Sequence, residues 1–257
     1  MTIALSMPGY AKIKVGNARG LVLETCHRAL ESILSKETLY EYAGRQPGVR
    51  QFQGRAPAYA ANLGDGSGDI VVRHALRGGL IGRTGTDLFL PPTRGLRELV
   101  NSLRLRVAAV PTPEVVAVIS YRAGPLLRRS DIATREIADS HDLSVVLREI
   151  PSGANRESCL RATGKLLASL TRAGAHHPDL NARNVLVTWD AERGAIAHVL
   201  DVDRIRFHVP GDPMVAGANL QRLVRSLNKL RGLGTIALSD SEINMVTAAT
   251  SEVRRDA

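Results

Sequence analysis

The spacing of apolar residues changes character near residue 140, and that change limits the folds open to this chain more than any other feature. From Gln51 to Val72 the sequence breaks into short, glycine-punctuated segments, a texture of antiparallel strands joined by turns. "NLGDGSGDIVVRH" predicts a turn over Gly64–Gly68 and a strand over Asp69–His74. Two further strands are expected within Val110–Tyr121 and Ser130–Ile137. Between them and the first strands, Arg94–Arg106 predicts a helix with Leu96, Leu99, Val100 and Leu103 on one face. Beyond Ser140 the helical period takes over. Glu157–Thr171 carries Leu160, Leu167 and Leu170 and stops at Gly174, while Ala218–Arg231 carries Leu220, Leu223, Val224, Leu227 and Leu230. Val185–Trp189 and Ile196–Leu200 read as a hairpin about the turn Asp190–Ala195. An amphipathic stretch, Leu21–Leu39, predicts a helix ahead of the strands, with Val22, Cys26, Leu30, Ile33 and Leu34 at its spacing. Strands with one helix, followed by helices with one hairpin, make an α+β chain with a boundary near Ile137–His141.

Several function classes are set aside by composition. The chain has 257 residues, 44% of them apolar and 23% charged, which suits a globular protein with ample length to bury a core. Its best apolar runs, Val115–Ile119 and Val107–Val110, are strand-sized and far short of the roughly 18 residues of a membrane span. Met1–Tyr10 lacks the pattern of a signal peptide. Two cysteines, Cys26 and Cys159, make no disulfide framework and favour a reducing cytoplasm. The formal charge is +9, and only five of the 34 cations are lysines. Such a balance suits anionic partners, and arginine forks match phosphate and carboxylate. Aromatics are only 4% and do not interleave with arginine, so no nucleic-acid partner is expected.

The chemistry concentrates after residue 175. "HPDLNARNVLV" places His177, Asp179, Asn181 and Asn184 on a loop directly before a strand. Across the hairpin, "LDVDR" supplies Asp201 and Asp203. Because a hairpin returns its two ends to each other, Asn184 and Asp201 should lie side by side, an oxygen-rich pair suited to a hard cation such as Mg²⁺. Asp179 would sit within reach of a hydroxyl and accept its proton. Phosphoryl transfer needs these parts. Asp203 has Arg204 and Arg206 as alternative partners, and His176 reads as a solvated neighbour.

"HPDLNARN" resembles the protein-kinase catalytic loop H-R-D-L-x-x-x-N, and "DVD" stands where kinases carry D-F-G. Together with the Asp-x-Asp-Arg ending, "NLQRLVRSLNK" (Asn219–Lys229) and "VVRHALRGGLIGR", the sequence resembles the lipopolysaccharide kinases, which include the Kdo kinases and the core heptose kinases. The likeness covers about Gln51–Arg231. It implies a two-lobed kinase-like fold, with a mainly antiparallel-sheet small lobe at 51–138, a mainly helical large lobe at 139–257, and residues 1–50 as an extension packing on the small lobe. It implies ATP and Mg²⁺ as cofactors, Asp179 as catalytic base, His177 as a prop of the loop, and Asn184 and Asp201 as metal ligands. The phosphate-pairing lysine of kinases falls on Arg73 in "IVVRH", with Glu98 as its helix partner. The glycine-rich loop falls on "GRAPAY", with Gly54 and Arg55 against the nucleotide and Ala56 where a second glycine is usual. The implied acceptor is a sugar hydroxyl on a glycolipid, Kdo first and inner-core heptose second. A different acceptor, or a non-catalytic binding module, remains open. Arg77, Gly78, Gly79 and Arg83, and the helix face of Arg222, Arg225 and Lys229, suggest contact with an anionic membrane, on the cytoplasmic face of the inner membrane.

Overall fold

A computed structural model describes residues 7–52, 57–64, 66–74, 94–124, 127–190, 192 and 194–252. The chain divides into two compact units, Met1–Val100 with Glu114–Glu136, and Asn101–Pro113 with Ile137–Ala257.

The first unit is built on an antiparallel sheet of seven strands. In chain order these are β1 (Tyr10–Val15), β2 (Ala18–Leu23), β3 (Gln51–Phe52), β4 (Ala58–Asn62), β5 (Asp69–His74), β6 (Val115–Arg122) and β7 (Arg128–Arg135), and in the sheet they run β1-β2-β6-β7-β5-β4-β3. Two helices, α1 (His27–Leu34) and α2 (Leu39–Gly44), precede β3, and α3 (Arg94–Val107) precedes β6. The single helix expected over Leu21–Leu39 is thus resolved into three pieces. β2 pairs with β1 on one side and β6 on the other, so Leu21–Leu23 stay extended. Thr38 then starts a new helix, its side chain accepting from the Glu41 N–H while Glu41 reaches back to the Thr38 N–H. The apolar positions that suggested one helix are nonetheless all buried: Val22, Cys26, Leu30, Ile33 and Leu34.

Fully buried Asp131 on β7 fastens α2 to this sheet. Its carboxylate accepts from the Tyr40 N–H at 3.1 Å and lies 2.5 Å from Nδ1 of His74. The Tyr121 hydroxyl accepts from the Leu39 N–H at 2.9 Å. Two otherwise orphaned donors of the first helical turn are thereby satisfied.

The second unit is mainly helical: β8 (His141–Asp142), α4 (Leu143–Glu149), α5 (Ala154–Arg172), β9 (Ala175–His176), β10 (Val185–Asp190), β11 (Gly194–Val199), β12 (Arg206–Phe207), α6 (Pro213–Gly232) and α7 (Asp240–Glu252). Leu160, Leu167 and Leu170 of α5 join Val187, Val199, Leu223 and Leu227 in one core. α7 lies close against α5 at Gly164, where an added Cβ would stand 2.6 Å from both Ala249 Cβ and the Val246 carbonyl oxygen. Arg156 crosses the same region almost fully buried. Its Nε lies 2.8 Å from Glu242 of α7, and its guanidinium donates to the carbonyls of Leu147, Ile150 and Ala237. Removing one partner of a buried pair strands the other charge in a low dielectric. Arg156→Ala should therefore lower unfolding free energy by about 3–5 kcal/mol, read as a reduced midpoint in urea melts.

Candidate active site

The loop between β9 and β10 is held from below by a buried polar node. Gly174, at φ +65°, lets the chain turn off α5 so closely that a Cβ there would meet the His208 carbonyl oxygen at 2.4 Å. Asn219 of α6 then brackets β9: its Oδ1 accepts from the His177 N–H at 2.9 Å, and its Nδ2 donates to the Ala175 carbonyl at 2.9 Å. Both Asn219 and His177 are 0% exposed. The His177 ring is bonded at both nitrogens. The Asp179 N–H donates to Nδ1 at 3.3 Å, which leaves Nε2 to donate to the Leu200 carbonyl at 3.0 Å. This network assigns the neutral Nε2–H tautomer. Burial holds the ring's pKa below the usual histidine value, outweighing the Leu200 carbonyl and the fields of Asp201, Asp179 and Asp203.

Above this node the loop is self-braced. The Asp179 carbonyl accepts from Asn181 Nδ2 at 2.8 Å and Asn184 Nδ2 at 3.0 Å. Asn181 caps the short 3-10 turn Ala182–Asn184 by accepting from the Arg183 N–H at 2.9 Å, and Ser226 of α6 accepts from the Ala182 N–H at 3.2 Å. With Nδ2 engaged, Oδ1 is the atom Asn184 offers to a cation. The hairpin closes as the spacing predicts: Val185 faces Val199, and the Leu200 N–H donates to the Asn184 carbonyl at 2.9 Å. Asp201 follows directly in the left-handed conformation, φ 53° and ψ 47°, which turns the exposed residue off the end of β11.

His177, Asp179, Asn184 and Asp201 thus come together in the second unit. One amide and one carboxylate form a donor set suited to a hard cation that keeps waters and phosphate oxygens as its other ligands. Among the described residues there is no group of three or more His, Cys, Asp or Glu able to hold a metal by themselves. The Asp179 carboxylate pairs with Arg204, both side chains about half exposed at 45% and 55%. In the first unit, Arg73 and Glu98 meet as expected. The guanidinium NH2 of Arg73 lies 2.5 Å from Glu98 Oε1 and also pairs with Oε2, and Glu98 is 4% exposed. Gly54 and Arg55, with the Arg77–Arg83 segment, lie outside the described residues.

Sequence reasoning passed over three members of this site. Asn219 had a signal: it stands four residues before Leu223 and eight before Leu227, a polar group in phase with a buried stripe. Ser226 and the Arg204–Asp179 pairing had none in local spacing.

With this geometry in place, comparison with known proteins identifies the family. The model of the lipopolysaccharide kinase (Kdo/WaaP) family matches residues 44–249. The chain belongs to that family. A 3-deoxy-D-manno-octulosonic acid kinase of Xanthomonas oryzae pv. oryzae (strain PXO99A) is 37% identical over 175 residues, 64% of this chain and 64% of that protein. A protein of the same description from Stenotrophomonas maltophilia (strain K279a) is 34% identical over 175 residues, again 64% of each. One from Vibrio parahaemolyticus serotype O3:K6 is 32% identical over 162 residues, 62% of this chain and 64% of the relative. The match therefore spans 64% of the length of these curated relatives. A solved structure, WaaP in complex with acyl carrier protein, superimposes with a TM-score of 0.51 at 18% identity, covering 84% of this chain and 87% of that one. That likeness carries the fold, an α+β kinase-like architecture, as the sequence led us to expect.

Because His177 is neutral in the fold and its pKa is depressed, the stability it contributes is complete above the unfolded value of about 6.5 and is lost as pH falls below it. His176 and His198 are shifted the same way, chiefly by burial. Melting temperature should fall from pH 7 toward pH 5. His177→Gln, which keeps a donor and an acceptor without titrating, should have a shallower pH slope of melting temperature.

Proposed function

We propose that this chain is a kinase that transfers the γ-phosphoryl group of ATP to a sugar hydroxyl of a lipopolysaccharide precursor, with Kdo on Kdo-lipid A as the acceptor. The observation that carries this reading is the convergence of Asp179, Asn184 and Asp201 on a loop and hairpin end braced by the buried neutral His177. The family and the names of the relatives support the acceptor class. The first compact unit is then the small lobe and the second the large lobe of one catalytic unit; the first fifty residues, expected as an extension packed on the small lobe, instead supply β1 and β2 to its sheet because β2 pairs directly with β6.

In this mechanism Asp179 orients the acceptor hydroxyl and takes its proton as the oxygen attacks the γ-phosphorus and the bond to ADP breaks. Asn184 and Asp201 would hold Mg²⁺, whose charge would offset that of the phosphate oxygens. Arg73, fixed by Glu98, offers its guanidinium to a nucleotide phosphate, with Gly54 and Arg55 as further contacts. Arg204 must release the Asp179 carboxylate before the hydroxyl can use it. The pair is half exposed and worth no more than about 1 kcal/mol, so this release is a minor cost.

No described helix is long and apolar enough to cross a membrane. The acceptor is reached instead by peripheral contact with an anionic surface on the cytoplasmic side, to which the exposed Arg225 and Lys229 of α6 contribute.

Asp179→Asn should lower kcat by about 100- to 10,000-fold with ATP affinity close to wild type, whereas Asp201→Ala should weaken Mg-ATP binding as well. Radiolabelled transfer to Kdo-lipid A, heptose acceptors and small sugars, beside nucleotide titrations, measures both. Near-normal transfer by Asp179→Asn would sink the assignment of the base. Cosedimentation with anionic liposomes should be strong at low salt, lost near 1 M salt where the Debye length is about 3 Å, and reduced in the Arg225→Gln, Lys229→Gln variant. Attachment that survives high salt would contradict the electrostatic route.

A further inference from the structure

The short β9–β12 ribbon gathers basic side chains that the chemistry just described does not use. His176 stands directly opposite Arg206 in the antiparallel register, so both side chains leave the same face. His208 is two residues beyond Arg206 and returns to that face, while Ala175 and Phe207 turn into the core. The His176 and His208 rings meet edge to face with centroids 5.9 Å apart. Arg222 arrives from α6, three residues after the Asn219 amide that brackets His176 through its two chain neighbours. Arg206, His208 and Arg222 are exposed, and His176 is half-buried.

We propose that His176, Arg206, His208 and Arg222 form an oxyanion-recognition site that holds a carboxylate or phosphate of the acceptor beside the catalytic loop. The two guanidiniums supply positive charge and the imidazole N–H groups supply donors, so an oxyanion bound among them gains both charge and hydrogen bonds. The environment of His176 bears the mark of this crowding. Burial holds its pKa below the usual value, and the fields of His208, Arg206, His177 and Arg222 push the same way. The position suits substrate recognition. His176 is three residues before Asp179, which limits the separation of their backbones to about 11 Å even in a fully extended chain. An anionic group on the reacting sugar or its neighbour can therefore be gripped while a hydroxyl reaches the base. A sugar acid supplies a carboxylate and a phosphorylated lipid supplies a phosphate. Two guanidinium forks and two imidazoles recognise either. The identity of the ligand rests on the kinase reading above, whereas the existence of an anion site does not.

The test is a titration of the full chain at low salt, following the ring signals of His176 and His208 by NMR. The probes are the methyl glycoside of Kdo, which offers a carboxylate, and inorganic phosphate. Saturable shifts of both rings are expected with at least one probe, and which probe saturates assigns the carboxylate or the phosphate. The Arg206→Gln, Arg222→Gln variant should bind that probe about tenfold or more weakly. In transfer assays its acceptor KM should rise by a similar factor while its KM for ATP stays within about twofold of wild type. Rings that respond to neither probe, or a variant with wild-type anion affinity and acceptor KM, would overturn the site. A saturable response without transfer to any acceptor would leave the site standing and overturn the kinase reading alone.

Discussion

Two hydrogen bonds from one side-chain amide hold the candidate site of the second unit in register. Asn219 reaches from α6 to the Ala175 carbonyl and the His177 N–H, on either side of His176, at a point sealed from water. A backbone donor or acceptor left unpaired there would cost about 1–3 kcal/mol, so the helix and the loop cannot drift apart independently. Everything above the node inherits this constraint. His177 is fixed by its backbone, its ring is then fixed by Leu200 and Asp179, and the loop carrying Asn184 is set against the end of β11. Asp201 is exposed and Asp179 half exposed, while Asn219 and His177 beneath them are buried. A neutral imidazole braces the loop without adding a positive charge beneath Asp179 and Asp201.

Much of this was legible in the sequence, for identifiable reasons. The two hydrophobic periods separated a sheet unit from a helical unit, because alternation and the 3.6-residue repeat report burial directly. The hairpin was readable from two short strands and a turn, and its closure alone brings Asn184 and Asp201 together. Arg73 and Glu98 were paired through the family resemblance, and the ion pair between them is present. The basic end of the chemistry was less legible. Arg204 was weighed against Asp203, its neighbour in sequence, and it reaches Asp179, 25 residues earlier, a contact that local spacing does not encode.

The misreadings share a cause. One helix was expected over Leu21–Leu39, but strand pairing on both edges of β2 overrides local periodicity, and the Thr38 capping box restarts the helix. The start of α6 was placed at Ala218, although Asp212 and Pro213 are cap and first-turn residues by type, and Asp212 accepts from the Met214 N–H at 2.8 Å. Periodicity needs buried residues to declare itself, and the first turn of this helix exposes Pro213, Met214 and Gly217. Asn219 and Ser226 act through tertiary contacts, which spacing does not encode.

The close seat of α7 on α5 bears on how this protein tolerates shortening. Its last described helix looks dispensable by content, carrying none of the candidate catalytic groups. Yet deleting it would uncover Gly164, which presents bare backbone where the helices touch, and would take Glu242 away from the buried Arg156. A guanidinium already committed to three carbonyls cannot swing out to water without releasing them. Removal of α7 would thus propagate into α4 and α5 through the places that Glu242, Val246 and Ala249 occupy.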